Sequence, residues 1–126
     1  MKLASRVFRF AGIYGLIVLV PQYFTEAKLG IDYPPAITHP EYYYGFLGVA
    51  ISWQFAFLVI AKDPARYRVM MLPSILEKAT FAIAVFALFV SQRTSSMMLG
   101  FAIGDLILGA GFVAAYIKTA TRTVAS

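Results

Sequence analysis

The chain has no cysteine and a single histidine. Without thiols there can be no disulfide, no thiol catalysis and no Cys-ligated metal or iron–sulfur centre. One imidazole cannot build a multi-His metal site or a bis-His haem, and no cofactor can be named from the residues. Charge is scarce as well, at 13% of residues, where soluble domains carry about a quarter. A soluble fold of this size would have too few polar side chains to cover its surface. Familiar catalytic and transport signatures are missing too. There is no Walker loop, no dinucleotide fingerprint, no HExxH and no G-x-S-x-G. No Arg-rich voltage-sensor helix or filter-like loop occurs. No internal repeat is visible, which gives an inverted-repeat transporter no support.

What the chain has instead is apolar length. Of its 126 residues 60% are hydrophobic, and the mean hydropathy is +0.74. These residues gather into four runs, about 8–24, 43–61, 69–91 and 97–117. Each approaches the ~20 residues a helix needs to cross a ~30 Å hydrocarbon layer. Transmembrane strands would be shorter and would alternate in polarity. The expected fold is therefore all-α: an integral membrane four-helix bundle forming one domain over 1–126. Pro21 is placed to kink or end the first span. That span also has the basic start and short apolar run of a signal peptide. No small-x-small cleavage site follows in Pro21-Gln22-Tyr23-Phe24-Thr25-Glu26-Ala27-Lys28, which favours a retained anchor.

The net charge of +5 could indicate nucleic acid, but the basic residues flank the apolar runs instead of forming one patch. Lipid headgroups are the better partner. Lys2, Arg6, Arg9, Lys62, Arg66, Arg68, Lys118 and Arg122 fall on one side of the spans. Only Lys28 and Arg93 fall on the other. The positive-inside rule puts both termini in the cytoplasm and the long loop 25–40 outside. The expected location is a cell membrane of the bacterial inner type.

Function should lie where this pattern is broken. Trp53, Gln54, Glu77, Lys78 and Asp105 are the polar residues inside the spans. Asp105 stands eight residues past Met97, hence about 12 Å below the outer surface, where neither a cap nor snorkelling explains a short carboxylate. The structural alternative to a functional role is a polar bond to Gln54, Trp53 or Lys78, or a protonated carboxyl. Gln54 and Trp53 fall at similar depth, and a buried indole wants a partner for its N–H. Two readings of Glu77 stay open. Ser74-x-x-Glu77 has capping-box spacing, which would keep Glu77 at the inner interface. A helix running through Pro73 would carry Glu77 about 12 Å deep. Lys78 could snorkel toward a headgroup.

In the outer loop, Thr38-x-x-Glu41 also has capping-box spacing, and Tyr42, Tyr43 and Tyr44 read as an aromatic belt. His39 and Glu41 could alternatively handle protons or a polar headgroup at the mouth of a cavity. Asp63-Pro64 reads as the start of a short interfacial helix toward Pro73, with Arg66 and Arg68 on lipid phosphates. Gly100 and Gly104 make a GxxxG that Gly111 continues, a face for packing within the protomer or in a homo-oligomer.

The run Glu41 to Gly45, an apolar second span, the basic Asp63-Pro64 turn and a third span with Glu77 resemble small bacterial four-span proteins of the DoxX-like kind. The resemblance covers the hydropathy plan of the whole chain and few specific residues. It implies a four-helix bundle in families of which some are associated with respiratory or sulfur redox systems. There is a fainter similarity to the EXPERA group, which includes sterol isomerases and ligand-binding membrane proteins. There, buried acidic residues, a His and a Trp form a cavity for a flat apolar ligand. His39, Glu41, Trp53, Glu77 and Asp105 are matching residue types, but no spacing pattern matches, so no catalytic residue is carried over.

Three functions follow. The first is binding of a small apolar or lipid-like ligand in a cavity with a polar layer at midplane depth. Its candidate residues are Trp53, Gln54, Glu77, Asp105, His39 and Glu41. The second is a structural subunit or small oligomeric channel packed through Gly100, Gly104 and Gly111. The third is a membrane isomerase whose paired carboxylates, Glu77 and Asp105, act as acid and base.

Overall fold

A computed structural model describes residues 2–120. Its described elements are all helical: α1 (Lys2–Leu19), α2 (Glu26–Asp32), α3 (Pro40–Lys62), α4 (Met71–Val90) and α5 (Ser96–Lys118). One 3₁₀ turn, Val20–Phe24, extends α1, and another, Arg68–Met70, precedes α4. Four 23-residue stretches, Lys2–Phe24, Pro40–Lys62, Arg68–Val90 and Ser96–Lys118, are long and apolar enough to cross a membrane. The protein is a multi-pass membrane protein by length and composition. Pro21 lies in the first turn of the 3₁₀ segment that ends α1. Its missing N–H cannot continue the α-helical ladder. Arg122 lies outside the described residues.

The helices associate in the order α3–α1–α5–α4, and α3 meets α4 only sparsely. Hydrophobic burial drives little of this packing, because lipid tails are as apolar as leucine. The exposed surface reflects that, with Phe24, Val90, Val49 and Ile107 turned outward. Close approach and dispersion take over. In α1, Ala4, Phe8, Ala11, Gly12, Gly15 and Leu19 are buried and recur at helical spacing on one face. A Cβ on Gly12 would lie 2.8 Å from the Gln54 carbonyl oxygen, and one on Gly15 would overlap Gln54 Oε1. These two glycines let α1 lie directly on α3.

Near the end where α1 begins and α5 finishes, Phe8 stacks on Phe112 with ring centroids 4.1 Å apart. Phe57 meets Phe112 edge-on at 4.9 Å. Ser5 Oγ donates to Ala61 O at 2.7 Å beside them. At the other end, Tyr43 donates its hydroxyl to Gln22 O at 2.5 Å, and Tyr44 stacks with Tyr23. Of the three consecutive tyrosines only Tyr42 projects outward. The belt expected from the sequence is thus partly a clamp between α1 and α3.

The short connection between α4 and α5 ends α4 in a Schellman motif. Arg93 N–H donates to Leu88 O at 2.7 Å, and Gln92 N–H to Phe89 O at 3.0 Å. Gln92 takes the left-handed φ of 61° that this motif requires.

Several local expectations are corrected. Neither capping box forms. His39, not Thr38, flanks the first turn of α3, so the Thr38/Glu41 spacing is one residue out of register. Helix α4 begins at Met71, three residues before Ser74, and Ser74 Oγ donates back to Met70 O at 2.7 Å. The segment after Asp63 forms turns and a 3₁₀ segment, not an interfacial α-helix. Arg68 also turns inward to α5. Its Nε donates to Tyr116 O at 3.0 Å, and its guanidinium lies 3.7 Å from the centroid of the Tyr116 ring. The long loop between the first two spans contains the short helix α2.

Candidate functional site

Two features occupy the middle of the bundle: an ion cluster between α4 and α5, and a cleft between α3 and α4. Glu77 belongs to both.

Glu77 stands nine residues into the span Arg68–Val90, about 13 Å along it. With Ser74 inside the helix, the cap reading of Glu77 falls. Lys78 is corrected more sharply. Its side chain is only 6% exposed, and it does not snorkel. Its Nζ donates to Asp105 Oδ1 at 3.3 Å and lies 3.7 Å from Glu77 Oε2. It also sits 5.2 Å from the Phe57 ring centroid. The flexible stem lets one ammonium reach a carboxylate on its own helix and another on the neighbouring helix. The close α4–α5 approach permits this, since a Cβ on Gly109 would stand 3.3 Å from Lys78 Cβ.

The cluster is unevenly satisfied. Asp105 receives a hydrogen bond, whereas Glu77 Oε2 is buried, receives none and keeps only the longer ion-pair contact. With both acids ionised the three residues sum to one negative charge. An unmatched carboxylate at this depth is costly.

The cleft exists because α3 and α4 diverge. Phe46, Val49, Ala50 and Trp53 of α3 face Glu77, Thr80 and Phe81 of α4 around a space of about 290 Å³. Phe46 and Phe81 stack across it with centroids 6.1 Å apart. It lies at mid-span and opens sideways, and Phe46 and Val49 on its rim are exposed.

The sequence candidates therefore separate. Glu77 and Asp105 meet on Lys78, and Glu77 and Trp53 meet in the cleft. Gln54 turns the other way, buried against α1. Its Nε2 donates to Ala50 O at 2.7 Å, and its Oε1 accepts no conventional hydrogen bond. The Gly15 Cα–H occupies the direction of the overlapping Cβ and points at that oxygen, a weak C–H···O contact. His39 and Glu41 pair with each other at 3.2 Å, both well exposed. Glu41 stands twelve residues before Trp53 on the same helix, about 18 Å away along its axis. They form no part of the cleft.

The small-residue face also divides. Gly111 approaches Val7, where a Cβ would lie 3.1 Å from Val7 Cγ1. A Cβ on Gly104 would come no nearer than 3.9 Å to Tyr14, and one on Gly100 would meet nothing. Between the spans the tight contacts are at Gly12, Gly15, Gly109 and Gly111. The sequence reading passed over three of these. The α1 pair was detectable as glycines sharing a helical face with Ala4, Phe8 and Ala11.

No protein-family model, curated protein or solved structure matches the chain.

Proposed function

We propose that this membrane protein binds a small, mostly apolar or lipid-like molecule in the cleft between α3 and α4, with Glu77 receiving its polar end and Trp53 its body. The single observation carrying this reading is that Glu77 lines a space of about 290 Å³ between apolar and aromatic walls. Ligand sites are commonly concave and mainly apolar, with few polar groups, and lie between the helices of bundles. Asp105 and Lys78 are one layer back and set the charge at Glu77. Gln54 has a packing role against Gly15, and His39 and Glu41 are outer-surface residues. This is narrower than the polar layer expected from the sequence. The plan remains compatible with a DoxX-like or EXPERA-like bundle. Both termini are cytoplasmic in this proposal, and the membrane is of the bacterial inner type.

The test is a photoreactive benzoylphenylalanine at Val49, on the cleft rim, compared with one at Ile83, an exposed α4 position that does not line the cleft. Mass spectrometry of the adducts should show a molecule captured at position 49 and absent at 83. Identical bulk-phospholipid adducts at both positions would refute the reading.

A further inference from the structure

We propose that the occupant of the α3–α4 cleft carries a positive charge: it is a small organic cation with an apolar body, for which Glu77 is the counter-ion. The inference rests on the cleft being a binding site and adds the chemistry of what it takes.

Charge counting carries the argument. Glu77, Lys78 and Asp105 are the only Asp, Glu, Lys, Arg or His residues near the midpoints of the four spans. Lys78 is committed to Asp105 at 3.3 Å, with Glu77 farther at 3.7 Å. One ammonium cannot neutralise two carboxylates, so with both acids ionised one negative charge is left over, and Glu77, whose buried Oε2 accepts no hydrogen bond, is the acid that lines the cleft. An occupant bearing one positive charge balances the cluster where water cannot. An anionic occupant would add to the imbalance, and a neutral one would leave it.

The walls say what kind of cation. The described residues contain no group of three or more carboxylate or imidazole ligands. An inorganic ion would therefore exchange its hydration shell for one carboxylate and hydrocarbon. An organic cation needs no oxygen cage. Aromatic rings attract such cations through their quadrupoles, and Phe46, Trp53 and Phe81 supply them here. Opposite Glu77, α3 contributes no base between Pro40 and Lys62, and the positive charge that does stand by Glu77, the Lys78 ammonium 3.7 Å from Oε2, is hydrogen-bonded to Asp105.

Trp53 is the protein's single tryptophan, so its fluorescence reports this cleft alone. The full chain in uncharged detergent is titrated with trimethylphenylammonium and with tert-butylbenzene, two probes of the same shape that differ in charge. The cation should bind about tenfold or more tightly than its neutral isostere, the scale of a desolvated cation–π or ion contact. Glu77→Gln should erase the preference, and Glu77→Asp should keep most of it. Equal binding of the two probes to the unmodified protein would overturn the inference while leaving the cleft reading intact. That comparison needs no variant to fold. If neither probe alters Trp53 emission while Val49 still captures a molecule, the cationic assignment alone is wrong. If Val49 also captures nothing, the cleft reading falls with it.

Discussion

Replacing Lys78 with methionine keeps the side-chain stem and deletes the ammonium between Glu77 and Asp105. At 3.3 Å from Asp105 and 3.7 Å from Glu77, the two attractions are about 5 and about 4.5 kcal/mol at an effective dielectric constant of about 20. These gross terms are offset by the cost of removing three charged groups from water, several kcal/mol each. The net effect of the substitution is different in kind. It leaves two carboxylates unpaired across the α4–α5 contact, and breaking a buried pair this way costs about 3–5 kcal/mol. The cost should be recovered by neutralising the rest of the cluster. The triple variant Glu77→Gln, Lys78→Met, Asp105→Asn should lie within about 1–2 kcal/mol of the original protein, since no charge is left stranded. The assay is equilibrium unfolding in mixed micelles with increasing SDS, followed by circular dichroism. A Lys78→Met loss below about 1 kcal/mol, comparable to an ordinary hydrogen bond between membrane helices, would refute the reasoning. So would a triple variant as unstable as the single one.

Two further outcomes are expected. Gly15→Ala should destabilise the α1–α3 contact by about 1–3 kcal/mol, because its methyl must displace buried Gln54, whereas Gly100→Ala should be neutral within about 0.5 kcal/mol. Equal effects in the same unfolding assay would show that the α1–α3 approach is misassigned. Because the chain has no cysteine, one introduced at Thr94 and another at the exposed Arg66 in separate variants can be labelled individually in intact cells. An impermeant maleimide should modify position 94 and spare 66, and the reverse would invert the orientation.

The spans were legible because membrane length is written in composition: the apolar runs lie within the 23-residue helical stretches to within a few residues. The positions of Gln54, Glu77 and Asp105 along their helices were legible for the same reason, since rise per residue converts sequence position into distance along the axis. Helix rotation was not legible. Trp53 and Gln54 are neighbours at equal depth, yet one faces the α3–α4 cleft and the other α1. Side chains on adjacent helical residues diverge by about 100°, and what selects their faces is Gly15, on a different helix. Of the two readings that involved Lys78, the polar bond with Asp105 forms and the snorkelling does not. Snorkelling treats a lysine as alone in its helix, while here the decisive partner, Asp105, is 27 residues away in the chain. The capping boxes misled because their spacing is met wherever Ser or Thr happens to precede Glu by three. The pattern does not state where the helix begins.

The sideways opening of the cleft bears on how occupancy would be measured. A molecule reaching Trp53 and Glu77 arrives through the hydrocarbon between α3 and α4, without passing from water into the protein. The quantity that sets occupancy is then its mole fraction in the membrane. A dissociation constant expressed per aqueous concentration will drift with the amount of lipid or detergent present, while one expressed per lipid will hold constant. Two laboratories using different protein-to-lipid ratios would report different affinities for the same site, and only the second unit would reconcile them.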